Sequence, residues 1–291
     1  MKKYIYQIYY DDETKNKLLP GFIPLDNTKN DRPDWFEFYI ILNFLRNNTL
    51  EDNAWYGFLS PKFYNKTFCT PDLINHALDK YGKEANVALP PYCRDLLSYF
   101  LNPFEQGELY HPGLLNETQI FINKIGLRFD LKNLVTDTSC SIFSNYTIAK
   151  KEFWLKWKFI AEEYFSYVEG DIKNQNLTQY KAKINSVPMK AFIQERFATL
   201  VLSSGNFRTL QIMQNLKHPM SRHFIDNFQT RTMLQTCDLM KLKYRKNLDE
   251  KYLEMYWMIR KAIKFSKAPF GSTIQSFNKP LPDISLNKNL I

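Results

Sequence analysis

The sequence predicts an α/β protein: a mixed or parallel central sheet flanked by helices, with a helical C-terminal portion. Three observations lead there. Short β-branched and aromatic runs alternate with helical periodicities in the first half of the chain, and helices dominate the second half. Of the 291 residues, 44% are hydrophobic and 16% aromatic, enough apolar mass for a sizeable packed core. Only 9 Gly and 14 Pro exclude collagen-like and linker-like chains. The same shift in character divides the chain into a sheet domain over 1–205 and a basic helical extension over 206–291 packed on it.

Residues 3–10 (KYIYQIYY) read as a buried first strand with acids from Asp11 at its carboxyl end. Residues 14–34, rich in Asn, Asp, Lys and Pro, read as a long loop. A helix is expected to start near Asp34, which can cap it. It runs through WFEFYIILNFLRNN, where Trp35, Phe38, Ile41, Leu42 and Leu45 keep helical spacing. Residues 54–60 (AWYGFLS) form a strand stopped by Pro61. Thr70-Pro71 is an N-cap followed by proline in the first turn, opening a helix to about Lys80. Residues 86–89 give a second short strand, ended by Pro90-Pro91.

Helices are expected over 92–101 and 116–126, separated by the turn-rich NPFEQGELYHPG. Residues 141–149 (SIFSNYTIA) are β-like. KEFWLKWKFIAEEYFSYV is amphipathic, with Phe153, Trp154, Trp157, Ile160, Ala161, Tyr164 and Phe165 on one face. Residues 169–187 have loop composition, 189–203 read as a helix, 205–223 are mixed, and about 225–266 are helical and basic. The tail after Lys267 is expected to run over the surface.

Several chemistries lack their signatures. There is no GxGxxG, no GxxxxGK[ST], no GxSxG and no HExxH. The four His are not spaced as metal ligands, and the four scattered Cys form no CxxC, so a reduced compartment is expected. The N-terminal MKKYIYQIYYDDE shows no small-residue cleavage site, and no window is long and apolar enough to span a bilayer. The 39 Lys+Arg against 30 Asp+Glu give a formal charge of +9, with cations crowded between Lys241 and Lys267. That surplus suits nucleic acid, an anionic membrane surface or a phosphorylated small molecule. The aromatics follow core periodicity rather than alternating with a basic stripe, which argues against nucleic acid.

Three segments combine chemistry-bearing residues. WYGFLSPKF (55–63) ends a strand in a hydroxyl and the cation of Lys62, at the sheet edge where open α/β proteins bind ligands. The segment 102–113 gathers Glu105, Gln106, Glu108, Tyr110 and His111, groups able to hydrogen-bond a polyhydroxylated ligand and stack on its ring. Asp137 precedes the β-like run at 141–149, and Glu195-Arg196 interrupts an otherwise apolar helix, where an unpaired charge is costly. Each segment also has a plain structural reading: a buried strand, a turn between helices, an ion pair.

In this order the segments resemble bacterial polysaccharide glycosyltransferases of the GT-A type. They are most similar to capsule and lipopolysaccharide transferases that carry a domain formerly of unknown function. The likeness rests on residues 35–44 and then Tyr56-Gly57-Phe58-Leu59-Ser60-Pro61-Lys62-Phe63, where the family has a "YxGLxHYRRYF"-like strand. It continues in 144–157, similar to "NMFIMKKExFxxYxxWLF", and in Glu195-Arg196-Phe197-Ala198, similar to a helix carrying "ERLL". It covers roughly residues 3–205. Two departures stand out: His-Tyr-Arg-Arg is replaced by Ser60-Pro61-Lys62-Phe63, and the chain has no Asp-x-Asp.

The resemblance implies a GT-A-like sheet and transfer of a sugar from a nucleotide-sugar donor to a glycan or lipid-linked glycan acceptor. Such an enzyme works in the cytoplasm, as a peripheral protein of the inner membrane where the acceptor is lipid-linked. Sugar transfer needs cations for the leaving phosphate, carboxylates near the sugar and aromatic surface for the base. Lys62 and Arg94 are the cations, and Tyr9, Tyr10 and Asp11 complete the expected donor site. Glu108, Asp137 and Glu195 are the catalytic candidates, Glu105, Gln106 and His111 the acceptor or sugar contacts. A Mn²⁺ or Mg²⁺, if used, would fall to Asp137 or Asp11. The polar clusters around positions 9, 62, 108 and 137 are expected to converge on one cavity. Competing readings are a non-catalytic carbohydrate-binding or assembly protein and, further off, a nucleic-acid-binding protein.

Overall fold

The computed structural model describes residues 1–170, 177–178, 187–212 and 220–267. One six-stranded sheet is built from β1 (Lys2–Tyr9), β2 (Ile23–Asp26), β3 (Ala54–Leu59), β4 (Val87–Leu89), β5 (Ile148–Lys150) and β6 (Thr209–Gln211). The strand order is β2-β1-β3-β5-β4-β6. β1 is parallel to β2 and to β3, β4 is parallel to β6, and β5 runs antiparallel to both β3 and β4. The protein is therefore α/β, with a mixed, mostly parallel sheet flanked by helices and a helical C-terminal region. β6 lies past residue 205, so the sheet draws on both sides of that expected boundary.

β3 is the central strand, and all six of its residues are buried, as a strand covered on both faces must be. A Cβ on Gly57 would meet Ile148 at 3.0 Å, so glycine is what lets β5 lie this close. Against β3 packs α8 (Lys151–Gly170), whose Trp154 indole N–H donates to the Tyr56 carbonyl at 3.0 Å. Phe153, Trp154, Trp157, Ile160, Ala161 and Tyr164 are buried as the periodicity requires. Burying aromatic side chains of this size contributes about 1.5–3 kcal/mol each.

Short-range signals place several elements. Thr70 caps α4 (Pro71–Tyr81), its side chain accepting from the Leu73 amide, with Pro71 in the first turn. Other expectations need correction. The stretch 14–34 is not all loop. Behind α1 (Asp12–Lys15) it holds β2, an edge strand whose exposed, Pro-containing sequence hides its pairing with β1. NPFEQGELY is a helix rather than a turn: Asn102 accepts from the Phe104 and Glu105 amides and Pro103 opens α6 (Pro103–Tyr110). It lies between α5 (Arg94–Tyr99) and α7 (Leu114–Lys124). In 141–149 only the end enters the sheet, as part of β5.

Asp34 does not cap the following helix. It sits in a single 3₁₀ turn, Pro33–Trp35, and α2 (Glu37–Asn47) begins after Phe36, whose φ of 51° breaks the helical path. The Asp34 carboxylate instead binds Arg32 and the buried Lys190. Burial opposes its ionisation, but those two cations bring its pKa down to about 2. The helix expected over 189–203 is two, α9 (Met189–Gln194) and α10 (Phe197–Ser204), broken at Glu195-Arg196. The basic end is a hairpin of α11 (Phe228–Asn247) and α12 (Glu250–Ala262), turned by Leu248 at φ 54° and capped by Asp249. Its α11 packs on α5.

Most of the expected 169–187 loop, part of 205–223 and the tail after Lys267 lie outside the described residues. Among the described residues no helix is long and apolar enough to cross a membrane. The four cysteines are free and buried.

Candidate functional site

The order β2-β1-β3 means that the chain leaves β1 to one side for β2 and later returns to its other side as β3. Such a reversal opens a crevice at the carboxyl ends of the strands, where open α/β sheets take their ligands. A cavity of about 570 Å³ lies there. Tyr10 follows β1, Asn27 and Asn30 follow β2, and Ser60, Pro61 and Lys62 follow β3; all line it. The far wall comes from Ser144–Tyr146 and from the end of α9, and α3 (Phe63–Thr67) contributes Lys66.

Its backbone is unusual. Asn30, Phe36 and Ser144 have φ of 39°, 51° and 62°, and all three border the cavity. Left-handed conformations of non-glycine residues cost about 1–3 kcal/mol and concentrate where ligands are held. The rim is aromatic: Tyr10 is 40% exposed and Phe36 41%. Two large rings standing open beside a polar cavity form a stacking surface.

The polar interior has two kinds of group. Some are tied down. The Ser60 and Tyr146 hydroxyls share a hydrogen bond of 2.9 Å, and the Asn145 amide donates to Gln194 Oε1 at 2.9 Å. Others have few partners, or none among the described residues. The carboxylate of Glu195, at the break between α9 and α10, has neither hydrogen bond nor ion pair among the described residues. Burial pushes its pKa up, Arg196 and Lys66 pull against that, and Glu37 adds to it. Glu37 lines the opposite wall from the first turn of α2 and is likewise unbonded. Asn145 keeps a buried Oδ1 with no partner. Lys66 lies over the rings of Tyr92 and Tyr146, 5.3 and 5.4 Å from their centroids, and donates a hydrogen bond to the Tyr146 hydroxyl. The cavity therefore offers two carboxylates, two ammonium groups, hydroxyls and aromatic faces.

Of the residues expected from sequence, Tyr10, Lys62 and Glu195 line this cavity. The others do not. Tyr9 is buried at the end of β1, bonded to Asp26 and under the Lys15 ammonium. Asp11 caps α1, accepting from the Thr14 amide and hydroxyl at 2.7 Å each. Arg94 donates to the Ile212 carbonyl at 2.9 Å. Glu105 binds the Arg260 guanidinium through both oxygens, at 2.7 and 3.1 Å. Gln106 accepts from Arg196 at 2.8 Å. His111 is buried, stacked 3.6 Å from Phe192, and its pKa falls to about 4 through burial and the nearby Arg196.

The expected convergence of positions 9, 62, 108 and 137 fails at Glu108 and Asp137, for a physical reason. Glu108 accepts from the Gly113 and Leu115 amides at 2.8 Å each, and so caps α7. Asp137 is 1% exposed and accepts from the Ser139 amide at 2.7 Å and from Arg245. The two proposed metal ligands, Asp11 and Asp137, are thus committed elsewhere. Among the described residues no three His, Cys, Asp or Glu gather as a metal site requires. Glu37 and Lys66 are not legible as site residues, and Asn145 and Tyr146 stand out only as part of the 141–149 segment, with no role assigned. The one local hint was the four-residue spacing of Lys62 and Lys66, which places both on one side of a helical turn.

Comparison of the chain with protein-family models, with curated proteins and with solved structures gives no match.

Proposed function

We propose that this chain is a glycosyltransferase, moving a sugar from a nucleotide-sugar donor to a surface-polysaccharide acceptor of the capsule or lipopolysaccharide kind. The observation that carries the reading is Glu195: an unpartnered carboxylate of raised pKa, opening on a cavity at the sheet's switch point. A cavity of about 570 Å³ is within the range that encloses a ligand of this size. Tyr10 and Phe36 supply faces for the base, Lys62 a cation for the phosphates, and Glu195 the base. In the reaction Glu195 takes the proton of an acceptor hydroxyl. The freed oxygen attacks the anomeric carbon, and the bond from that carbon to the phosphate oxygen breaks with its electron pair on the leaving group. A single displacement of this form inverts the anomeric centre.

The hairpin supports a peripheral place on an anionic membrane surface on the cytoplasmic side. Residues 228–267 hold ten Lys or Arg against four Asp or Glu. Lys243, Lys246, Lys261 and Lys264 are exposed, with no ion pair among the described residues. Leu248 is 75% exposed and Met258 65%. Cations beside exposed apolar side chains suit anionic headgroups.

Thermal unfolding with UDP-, GDP-, CMP- and ADP-sugars, each with and without manganese, tests the donor assignment. A true donor at 100 times its Kd stabilises by about 2.7 kcal/mol, several degrees in Tm. Lys62→Ala is expected to weaken that donor about tenfold. No shift with any donor overturns the proposal, and a shift with free glycan alone marks a carbohydrate-binding protein instead.

A further inference from the structure

We propose that Lys66 is the cation that grips the donor's diphosphate, so that this cavity holds its leaving group on a lysine ammonium and not through a carboxylate-bound metal ion. The inference deepens the transferase reading and takes its ligand from it: a sugar linked through two phosphates rather than one.

Three lysines that the fold draws inward make the case. Lys190 is buried and meets the Asp34 carboxylate while lying 4.3 Å from the Trp35 ring centroid. Lys241 is 0% exposed and donates to the Leu97 and Phe100 carbonyls. Both have the partners that an ammonium leaving water requires. Lys66 is half-buried and has neither carboxylate nor carbonyl. Its neighbours are the faces of Tyr92 and Tyr146 and the Tyr146 hydroxyl, to which it donates one hydrogen bond, with Glu195 and Glu37 further off. Burial works against its charge, yet Tyr146 and Glu195 outweigh that and raise its pKa, so the group is an ammonium at neutral pH. An ammonium has three donors, and the Tyr146 hydroxyl takes one, so this charged group lining the cavity keeps donors for an incoming anion.

The geometry also sets the kind of anion. Lys62 and Lys66 stand one helical turn apart, about 5–6 Å between Cβ atoms, a spacing that serves two successive phosphates. Glu37 and Glu195 are the only acids of the cavity lining among the described residues, and no third carboxylate, His or Cys joins them there as a metal group. When the glycosidic bond breaks, its electron pair settles on the terminal phosphate oxygen, and Lys66 donates hydrogen bonds to the charge that develops there. The tyrosine rings keep the ammonium in place without neutralising it.

Calorimetric binding of inorganic pyrophosphate, UDP, GDP, ADP and CMP, in EDTA and in manganese, tests this with the wild type, Lys66→Met and Lys66→Arg. The wild type is expected to bind pyrophosphate and one nucleoside diphosphate in EDTA, and CMP more weakly. Lys66→Met is expected to lose about 10- to 100-fold in affinity for both, with Tm unchanged, and Lys66→Arg to restore most of it. Unchanged affinity in Lys66→Met overturns the inference, as does diphosphate binding only with manganese. Pyrophosphate bound through Lys66 while no nucleotide binds keeps the anion site and removes the transferase reading. No binding of any probe removes both.

Discussion

Two regions of this molecule are built from the same residue types and treat them in opposite ways. Around the junction of α6, α7 and the hairpin, each charge is matched. Glu105 meets Arg260, Glu108 meets two amides, Asp137 meets Arg245 and an amide, and Asp238 accepts from the Thr138 amide and hydroxyl. In the cavity at the ends of β1 and β3, the Glu37 and Glu195 carboxylates and the Lys62 ammonium have no hydrogen bond or ion pair among the described residues, and the Lys66 ammonium has only the Tyr146 hydroxyl. A matched polar group fastens one element to another. An unmatched, half-buried charge destabilises the free protein, and its favourable interactions come only with a ligand. The difference between scaffold and site here is one of pairing, not of residue type.

The sharpest way to break that contrast is Glu195→Gln. Turnover is expected to fall by about 10²–10⁴-fold, because the base is gone. Tm is expected to hold or rise, since the amide removes a charge that burial disfavours. The pH dependence follows the raised pKa. Turnover of the wild type rises as pH rises through the Glu195 ionisation, above the ordinary carboxylate value. For stability the sign is opposite. The folded state holds this proton more tightly than the unfolded chain, so the contribution is full below the ordinary pKa and is lost as pH rises through the folded one. Glu195→Gln removes both slopes. A variant that melts early and turns over normally would put Glu195 among the scaffold residues.

Asp137→Ala probes the matched region and reverses the pattern. It strands Arg245 and the Ser139 amide, and is expected to cost about 3 kcal/mol of stability. Donor affinity, measured below the unfolding transition, stays the same. Denaturant unfolding read beside a donor titration separates the two effects. Lost turnover with full stability would return Asp137 to the chemistry.

What could be read in the sequence follows the range of the interactions involved. The cap at Thr70-Pro71 and the buried run of β3 are local, and both are legible. Glu195 is legible for the same reason, as a charge set into an apolar stretch. The helix α6 was not, although its cap is also local: Gly107 and Pro103 look like turn residues until Asn102 is seen to accept both first-turn amides. Gly107 is there for packing, since a Cβ would come within 2.8 Å of Leu114 and 2.9 Å of Arg196. Glu108 and Asp137 could not be told from Glu195, because pairing separates them and pairing is tertiary. Asp137 and Arg245 are 108 residues apart. Lys66 was invisible as a site residue because its setting comes from Tyr92 and Tyr146 on other segments.

The hairpin carries the same contrast on its two faces, and here the expected effect per residue is smallest. Inward, Lys241 and Arg260 are bonded into the domain. Outward, Lys243, Lys246, Lys261 and Lys264 are unmatched. Reversing these four to Glu is expected to abolish cosedimentation with vesicles containing phosphatidylglycerol, at about 1 kcal/mol per lysine. Surface changes of this kind alter stability by no more than about 0.5 kcal/mol each, so the melting curve should barely move. Wild-type binding should weaken with added salt and be absent on phosphatidylcholine alone, because the attraction is to headgroup charge. If the wild type ignores anionic vesicles but binds RNA with a steep salt dependence, the outer face serves nucleic acid and the membrane placement falls. If the four-Glu variant still sediments with anionic vesicles, the apolar residues Leu248 and Met258 would be carrying the contact, and unmatched charge would no longer mark the binding surface on this part of the fold.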